Sequence, residues 1–141
     1  MKYRPGVCII TYRMHNKNKE FLLLHRTKNW RGWEIPKGGM QPHEDEDHVA
    51  ARELQEETGC DGKIKKLDYT LQYDWPKDYI KDDMEFEGAR LRLYSAEIKC
   101  GSITVDETEH DGYKWAGAEE ALEMITYEDQ REALRFYLNT K

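Results

Sequence analysis

The sequence predicts an α/β domain in which helices and strands form layers around a mixed β-sheet. Two short apolar runs, at residues 7–10 and 21–24, predict buried strands joined by the polar turn at residues 16–19. Residues 47–58 change to the spacing of an amphipathic helix. Residues 67–73 alternate apolar and polar side chains, which is typical of a strand with one buried face. Helices and strands mixed in this way favour a layered architecture.

The segments around and after that helix complete the predicted order of elements. Residues 30–46 contain three glycines and two prolines, which predicts a loop without regular structure. Gly59 stands where a glycine commonly ends a helix. The patterns further along the chain predict strands at residues 89–98 and 113–116 and helices at residues 118–125 and 126–138.

Size and charge restrict the class of protein. The 141 residues, numbered 1–141, predict one domain, because a chain of this length can bury a single substantial core. The formal net charge of -6 argues against binding to nucleic acid through a broad basic face. The apolar run near the N-terminus is too short for a signal peptide or a membrane span. We therefore expect a soluble, cytoplasmic protein that does not bind membranes.

The number and spacing of the cysteines also favour a cytoplasmic protein. Cys8, Cys60 and Cys100 are odd in number and far apart. Disulfide frameworks and zinc clusters need paired or close spacing. We therefore predict reduced, partly buried thiols.

Three carboxylates on the first helix carry the strongest chemical signal. Glu53 precedes Glu56 by three residues and Glu57 by four, a spacing that places all three on one helix face. Such a cluster suits Mg²⁺, which prefers oxygen ligands, and a backbone carbonyl near Gly38 could supply one more. Arg52 can neutralise and orient a neighbouring carboxylate. An acidic pair by itself is more often a solvated helix face, so the helix alone leaves both interpretations open.

The longer pattern around this helix narrows the choice. It runs Gly38-x5-Glu44-x7-Arg52-Glu53-Leu54-x-Glu56-Glu57-x-Gly59-Cys60 and resembles the signature of Nudix hydrolases at every fixed position. Leu54 and Cys60 occupy its two apolar places. The resemblance implies an α/β/α sandwich with a mixed sheet, in which residues 38–60 hold the metal.

That resemblance also implies a reaction and a set of roles. The expected enzyme hydrolyses a phosphoric anhydride bond of a nucleoside polyphosphate by attack of water on phosphorus, with Mg²⁺ as cofactor and Mn²⁺ as a substitute. Glu44 corresponds to an acid that positions the motif. The implied metal ligands are Glu53, Glu56, Glu57 and the Gly38 carbonyl, with Arg52 as a further catalytic residue.

Other segments resemble two branches of the family. Residues 3–7, 33–39 and 109–115 are similar to both the asymmetric dinucleoside tetraphosphate hydrolases and the RNA 5′-pyrophosphohydrolases, and residues 73–77 are similar to the second branch. Lys37 stands where the RNA branch often has glutamine, which favours cleavage of diadenosine tetraphosphate to ATP and AMP. Removal of pyrophosphate from an RNA 5′ end is the main alternative.

Further alternatives stay open at this point. They are hydrolysis of a nucleoside triphosphate or of ADP-ribose, and a nucleotide-binding module without catalysis, against which the complete ligand set argues. No obligate protein partner is inferred.

The late loop and the cationic residues complete the predicted site. Glu109 corresponds to a loop glutamate that binds an additional metal or acts as a base, although a solvated loop acid is an equal alternative and Glu107 is its substitute. Arg4, Arg26 and Lys37 are expected to meet polyphosphate oxygens.

The aromatic residues offer candidates for binding a base, whereas the histidines offer no predicted catalytic group. Tyr79 and Tyr113, together with Trp75, are the candidates for stacking on a base. His15, His25 and His110 are scattered along the chain, and none is predicted to be catalytic.

Overall fold

The computed structural model describes residues 2–76 and 86–140, and these contain seven strands and three helices. In chain order they are β1 (Tyr3–His15), β2 (Asn18–Arg26), β3 (Gly32–Glu34), β4 (Lys37–Gly39), α1 (Glu46–Thr58), β5 (Gly62–Asp74), β6 (Gly88–Ile98), β7 (His110–Ala116), α2 (Ala118–Met124) and α3 (Glu128–Thr140). The order confirms the α/β class, and each predicted strand and helix lies within or overlaps one of these elements.

The sheet is mixed because one pair of neighbouring strands is parallel. Strands β3, β2, β1, β6 and β5 lie side by side in that order, while β4 also pairs with β1 and β7 with β2. Strand β1 runs parallel to β6 and antiparallel to β2 and β4. The central position of β1 accounts for its nearly continuous apolar run, since a strand covered on both faces needs no polar side.

Alternation along β1 builds two cores on opposite faces of the sheet. Val7 and Ile9 join a cluster that includes Leu54 of α1. Cys8 and Ile10 join the other cluster, which includes residues of α2 and α3. Successive side chains of a strand point to opposite faces, so one strand supplies both cores. This arrangement confirms the predicted α/β/α sandwich.

The segment at residues 30–46 is more ordered than the glycines and prolines predicted. It contains β3 and β4, and Gly38 of β4 pairs with Val7 of β1. The Ile9 N–H also donates a hydrogen bond to the Pro36 carbonyl at 2.8 Å. The prediction of an irregular loop was therefore wrong for these six residues, because pairing with distant strands overrides local breaker composition.

The cysteine prediction was also wrong for two of the three thiols. Cys60 and Cys100 form a disulfide with a Cα–Cα distance of 6.0 Å, whereas Cys8 is free and buried. Gly62 of β5 pairs with Ile98 of β6, and continuing this antiparallel register outward brings residue 60 opposite residue 100. The register of two strands that are distant in sequence cannot be read from cysteine spacing. In the described part of the chain, no helix has the length and apolar character needed to cross a membrane.

Candidate active site

Helix α1 begins and ends through local capping, as its sequence indicates. The Asp45 side chain accepts a hydrogen bond from the backbone N–H of His48, and Gly59 ends the helix in the left-handed conformation at φ 75°. Between these caps, apolar residues on one side of α1 enter the core. Glu53, Glu56 and Glu57 line the large cavity beside the sheet. The structure therefore brings together the three carboxylates that the helical spacing predicted.

The glycines before α1 allow the backbone to approach two charged side chains. A Cβ added at Gly38 would lie 2.0 Å from the carboxyl atoms of Glu53, and one added at Gly39 would lie 2.6 Å from the guanidinium of Arg4. Both distances are shorter than real Cβ contacts, so a larger residue at either position would displace the charged group. The Glu53 carboxyl therefore packs against Gly38, and the Arg4 guanidinium packs against Gly39.

Arg52 ties this loop to the helix. Its Nε donates to Glu44 Oε2 at 2.7 Å, and its Nη2 donates to the Gly39 carbonyl at 3.1 Å. Its Nη1 donates to Glu56 at 3.2 Å. The hydrogen bonds from Arg52 hold the pKa of Glu44 low, at about 2. Arg52 and Glu44 therefore fix the geometry of the metal motif rather than facing solvent.

Without a metal, the protein raises the pKa values of two of the three carboxyl groups, Glu53 and Glu57. Burial raises the pKa of Glu53 to about 7, and the charge of Glu56 adds to the effect. Burial raises the pKa of Glu57 to about 9, with Glu109 the next contributor. Among the described residues, Glu53 Oε2 is buried without a hydrogen-bond partner. A buried oxygen without a partner and an excess of carboxylates fit a divalent cation, which prefers oxygen ligands.

The late loop brings Glu109 to this cluster. The Glu109 carbonyl accepts hydrogen bonds from the backbone N–H groups of Thr27 and Lys28, at 2.8 and 3.3 Å. Its side chain lines the cavity and lies 3.8 Å from Arg26 Nη1. Glu107, the alternative, is exposed and is not among the lining residues. The geometry therefore places Glu109, and not Glu107, beside the carboxylates of α1.

A buried group of charges lies behind the cavity. Glu34 is 0% exposed and contacts Arg26 Nη1 at 3.1 Å, His110 Nε2 at 2.7 Å and Lys37 Nζ at 3.7 Å. Burial alone would raise the pKa of Glu34, but Lys37, the hydrogen bond from His110 and the charge of Arg26 outweigh it and lower that pKa to about 2. Lys37 and Arg26 therefore contact Glu34 and also line the cavity.

The cavity has a volume of about 810 Å³ and combines cationic, acidic and aromatic groups. Arg4, Arg26 and Lys37 line it, as predicted. Its aromatic lining consists of Trp30, Tyr73, Trp75 and Tyr127. Trp75 was a predicted stacking residue, whereas Tyr79 lies outside the described residues. Tyr113 is 42% exposed on β7 and is not among the residues that line the cavity.

Comparison with known proteins identifies the family. A family model for the NUDIX domain matches residues 2–137. This chain belongs to the Nudix family. It is 30% identical to the asymmetrical bis(5′-nucleosyl)-tetraphosphatase of Sus scrofa over 131 residues, which cover 87% of the chain and 81% of that protein. Nudix membership confirms the hydrolase class, with action on pyrophosphate bonds.

Two further relatives lie in the branches that the sequence resembles. An RNA pyrophosphohydrolase of Campylobacter jejuni is 26% identical, over 89% of this chain and 84% of that protein. The structure of a binary complex of an Ap4A hydrolase from C. elegans superposes with a TM-score of 0.78 at 23% identity, covering 96% of each chain. The second comparison establishes the shared fold.

Several residues of this Nudix site were missed from the sequence. Glu34 and His110 were not assigned roles, although the β2–β7 register places His110 opposite Arg26. Trp30 and Tyr127 were also missed, and their rings lie 4.8 Å apart beside the cavity. A tryptophan between polar residues in a loop, and a tyrosine that follows a helix, were the only local signals. Neither signal specifies a cavity without the fold.

Proposed function

We propose that this Nudix hydrolase cleaves diadenosine tetraphosphate asymmetrically into ATP and AMP. The observation that carries the proposal is the cavity of about 810 Å³, which brings together the carboxylates, the cationic side chains of Arg4, Arg26 and Lys37 and four aromatic rings. A volume of this order accommodates an extended nucleotide ligand. The relative from Sus scrofa, whose name states the asymmetric cleavage of such dinucleotides, supports this choice of substrate.

The carboxylates of α1 are the proposed ligands of Mg²⁺, for which Mn²⁺ can substitute. Glu53, Glu56, Glu57 and the Gly38 carbonyl would hold the cation, and Arg52 would keep the motif in position. When bound, the metal offsets charge on the phosphate oxygens and lowers the pKa of water. Cation binding requires ionised ligands, so it would release the protons that Glu53 and Glu57 carry at their raised pKa values.

The remaining lining residues would bind the polyphosphate and a base. Arg4 and Arg26 present guanidinium groups, whose planar fork matches phosphate oxygens. Lys37 adds a third positive charge near β4. Stacking of a base on Trp75 or Tyr127 would contribute about 1–3 kcal/mol. These groups are placed to bind the substrate while the α1 carboxylates hold the metal at the scissile phosphates.

Product analysis tests the proposal directly. The protein is incubated with diadenosine tetraphosphate and Mg²⁺, and the nucleotides are separated over time. We expect ATP and AMP in equal amounts, and no products from the Glu57→Gln variant. Formation of ADP alone would show symmetric cleavage, and the absence of products would contradict the proposed substrate.

RNA is the second candidate, because relatives named RNA pyrophosphohydrolases match 89% of the chain. This function predicts that the apparent affinity for 5′-triphosphorylated RNA rises with RNA length and falls with salt. Competition between diadenosine tetraphosphate and triphosphorylated RNA of two lengths distinguishes the candidates. A length-independent response would count against RNA, whereas stronger competition by the longer RNA would favour it.

A further inference from the structure

The cavity contains a group of potential metal ligands that extends beyond the carboxylates of α1. Glu57, Glu109 and His110 each offer one ligand atom, and these atoms all lie within 4.8 Å of one another. His110 Nδ1 is 3.8 Å from Glu57 Oε2. The group differs chemically from the α1 set because it contains an imidazole nitrogen.

The orientation of the His110 ring is set by Glu34. His110 is 0% exposed, and its Nε2 lies 2.7 Å from Glu34 Oε2. The carboxylate of Glu34, which Arg26 and Lys37 keep ionised, can only accept a hydrogen bond. The contact between Nε2 and Glu34 therefore fixes the ring with Nδ1 on the side of Glu57.

The Nδ1 atom of His110 faces the acidic group. Among the described residues, His110 Nδ1 is buried and has no hydrogen-bond partner. Glu57 and Glu109 add two carboxyl groups, and Arg26 Nη1, which also contacts Glu34, lies 3.8 Å from Glu109 Oε1. A buried imidazole nitrogen without a hydrogen-bond partner therefore lies within 4.8 Å of two carboxyl groups, an arrangement of ligand atoms that one cation can bridge.

The Glu34–His110 pair has the form of a support for a metal ligand. Histidines that bind metals almost always donate their other ring N–H to a carboxylate or carbonyl, which fixes the tautomer and raises the basicity of the ligand. Imidazole suits transition metals, whereas Mg²⁺ prefers oxygen. The ligand set therefore favours a metal that accepts nitrogen.

We propose that Glu57, Glu109 and His110 bind a divalent transition-metal ion, for which Mn²⁺ serves as the probe. This site shares Glu57 with the Mg²⁺ ligands and rests on the proposed function only through that residue. It goes beyond that function by assigning His110 as a ligand and by giving the cavity a position selective for nitrogen-binding metals over Mg²⁺.

Spectroscopy of the Mn²⁺-loaded protein tests the assignment without substrate. Electron spin echo modulation detects ¹⁴N coupled to Mn²⁺ and so reports an imidazole ligand. We expect nitrogen modulation at saturating Mn²⁺ in the wild type and its loss in His110→Gln. His25→Gln is the matched control, because His25 also contacts a carboxylate, Asp111 Oδ1, at 2.6 Å, and we expect it to retain the signal.

The outcomes against the proposal are equally specific. A wild-type protein without nitrogen modulation at saturating Mn²⁺ would overturn it, and so would His110→Gln with the modulation intact. The wild-type spectrum decides the question even where His110→Gln does not fold.

A titration separates a ligand from a merely structural residue. His110→Gln should lower the affinity for Mn²⁺ by on the order of 10- to 100-fold or more while leaving the affinity for Mg²⁺ unchanged. Glu34→Gln keeps the ring but removes its ionised acceptor, so it should lower the Mn²⁺ affinity to a smaller extent. Equal losses for both metals would show that the ring only supports the fold, and the proposal would fail. Neither measurement uses diadenosine tetraphosphate, so failure of the proposed substrate and failure of this site remain distinguishable.

Discussion

Glu53 of α1 and Glu34 of β3 are two buried carboxyl groups whose surroundings shift their pKa values in opposite directions. Glu53 is 8% exposed and has a pKa raised to about 7, whereas Glu34 is 0% exposed and has a pKa lowered to about 2. Acidic residues surround Glu53, with Arg52 Nη1 3.8 Å away. Glu34 lies among Arg26, Lys37 and His110. Burial alone therefore does not determine the charge state; the charge partners do.

The comparison distinguishes the α1 carboxylates, for which a metal is proposed, from Glu34, whose positive partners are Arg26 and Lys37. In the protein alone the pKa values of Glu53 and Glu57 are raised, which agrees with the proposal that these residues bind a cation. The Glu34 group is complete in the protein alone and holds β2, β3, β4 and β7 together beside the cavity. Substitution of the two glutamates should therefore have opposite effects on stability.

The largest expected effect is on turnover in Glu53→Gln. Loss of this proposed ligand should lower kcat by roughly 10²–10⁴-fold, the range for a group positioned at the reacting atoms. The same change should raise the free energy of unfolding of the metal-free protein. Burial disfavours the ionised form of Glu53 in the folded protein, and a neutral glutamine removes that cost. Turnover assays and urea unfolding in the presence of a chelator measure the two effects.

The pH dependence gives the sign of the stability effect. The pKa of Glu53 is raised in the folded protein, so its contribution to stability is present below its unfolded value of 4.5 and is lost as the pH rises through about 7. As the pH rises from 4.5 to about 7, Glu53→Gln should therefore become increasingly more stable than the wild type. Glu107→Gln is the control, since Glu107 is exposed and does not line the cavity, and it should not change stability. A difference that is constant with pH would contradict the raised pKa.

The second prediction concerns Glu34→Gln. Removal of the charge deprives Arg26 and Lys37 of the buried carboxylate that they share, and the loss of one partner of a buried ion pair costs about 3–5 kcal/mol in the free energy of unfolding. Urea unfolding measures it, with Glu128→Gln as control because Glu128 forms its ion pairs with Arg131 and Arg135 at the surface. Equal stabilities of Glu34→Gln and Glu53→Gln would remove the distinction between the two carboxylates.

The third prediction concerns the disulfide beyond the end of α1. Cys100→Ser should lower the free energy of unfolding by about 2–4 kcal/mol, because the bond restricts the unfolded chain between residues 60 and 100. Denaturant unfolding measures the loss. A reducing agent should lower the stability of the wild type to a similar extent and leave Cys100→Ser unchanged. No effect of either change would show that the two thiols are not joined.

The parts of the molecule that the sequence predicted are those set by local spacing. The helix from residue 46 to residue 58, its glycine cap and the three carboxylates on one face all follow from intervals of a few residues. Glu109 was found through resemblance and not through spacing. The Glu34–His110 contact and the pairing of Cys60 with Cys100 depend on strand register across 76 and 40 residues. Such contacts carry no local signal, because only the tertiary fold brings the residues together.

The smallest expected effect concerns the residue that stacks on the base. It depends on whether that residue lines the cavity, since exposure alone does not distinguish the two candidates. Tyr127 and Tyr113 are 47% and 42% exposed, but only Tyr127 is among the cavity-lining residues. Tyr127→Ala should weaken binding of diadenosine tetraphosphate by about 1–3 kcal/mol, seen as a higher KM with little change in kcat. Tyr113→Ala is the matched control and should leave KM unchanged. The reverse result would assign the base to β7, in agreement with the sequence prediction, and would move the substrate out of the cavity that contains the carboxylates.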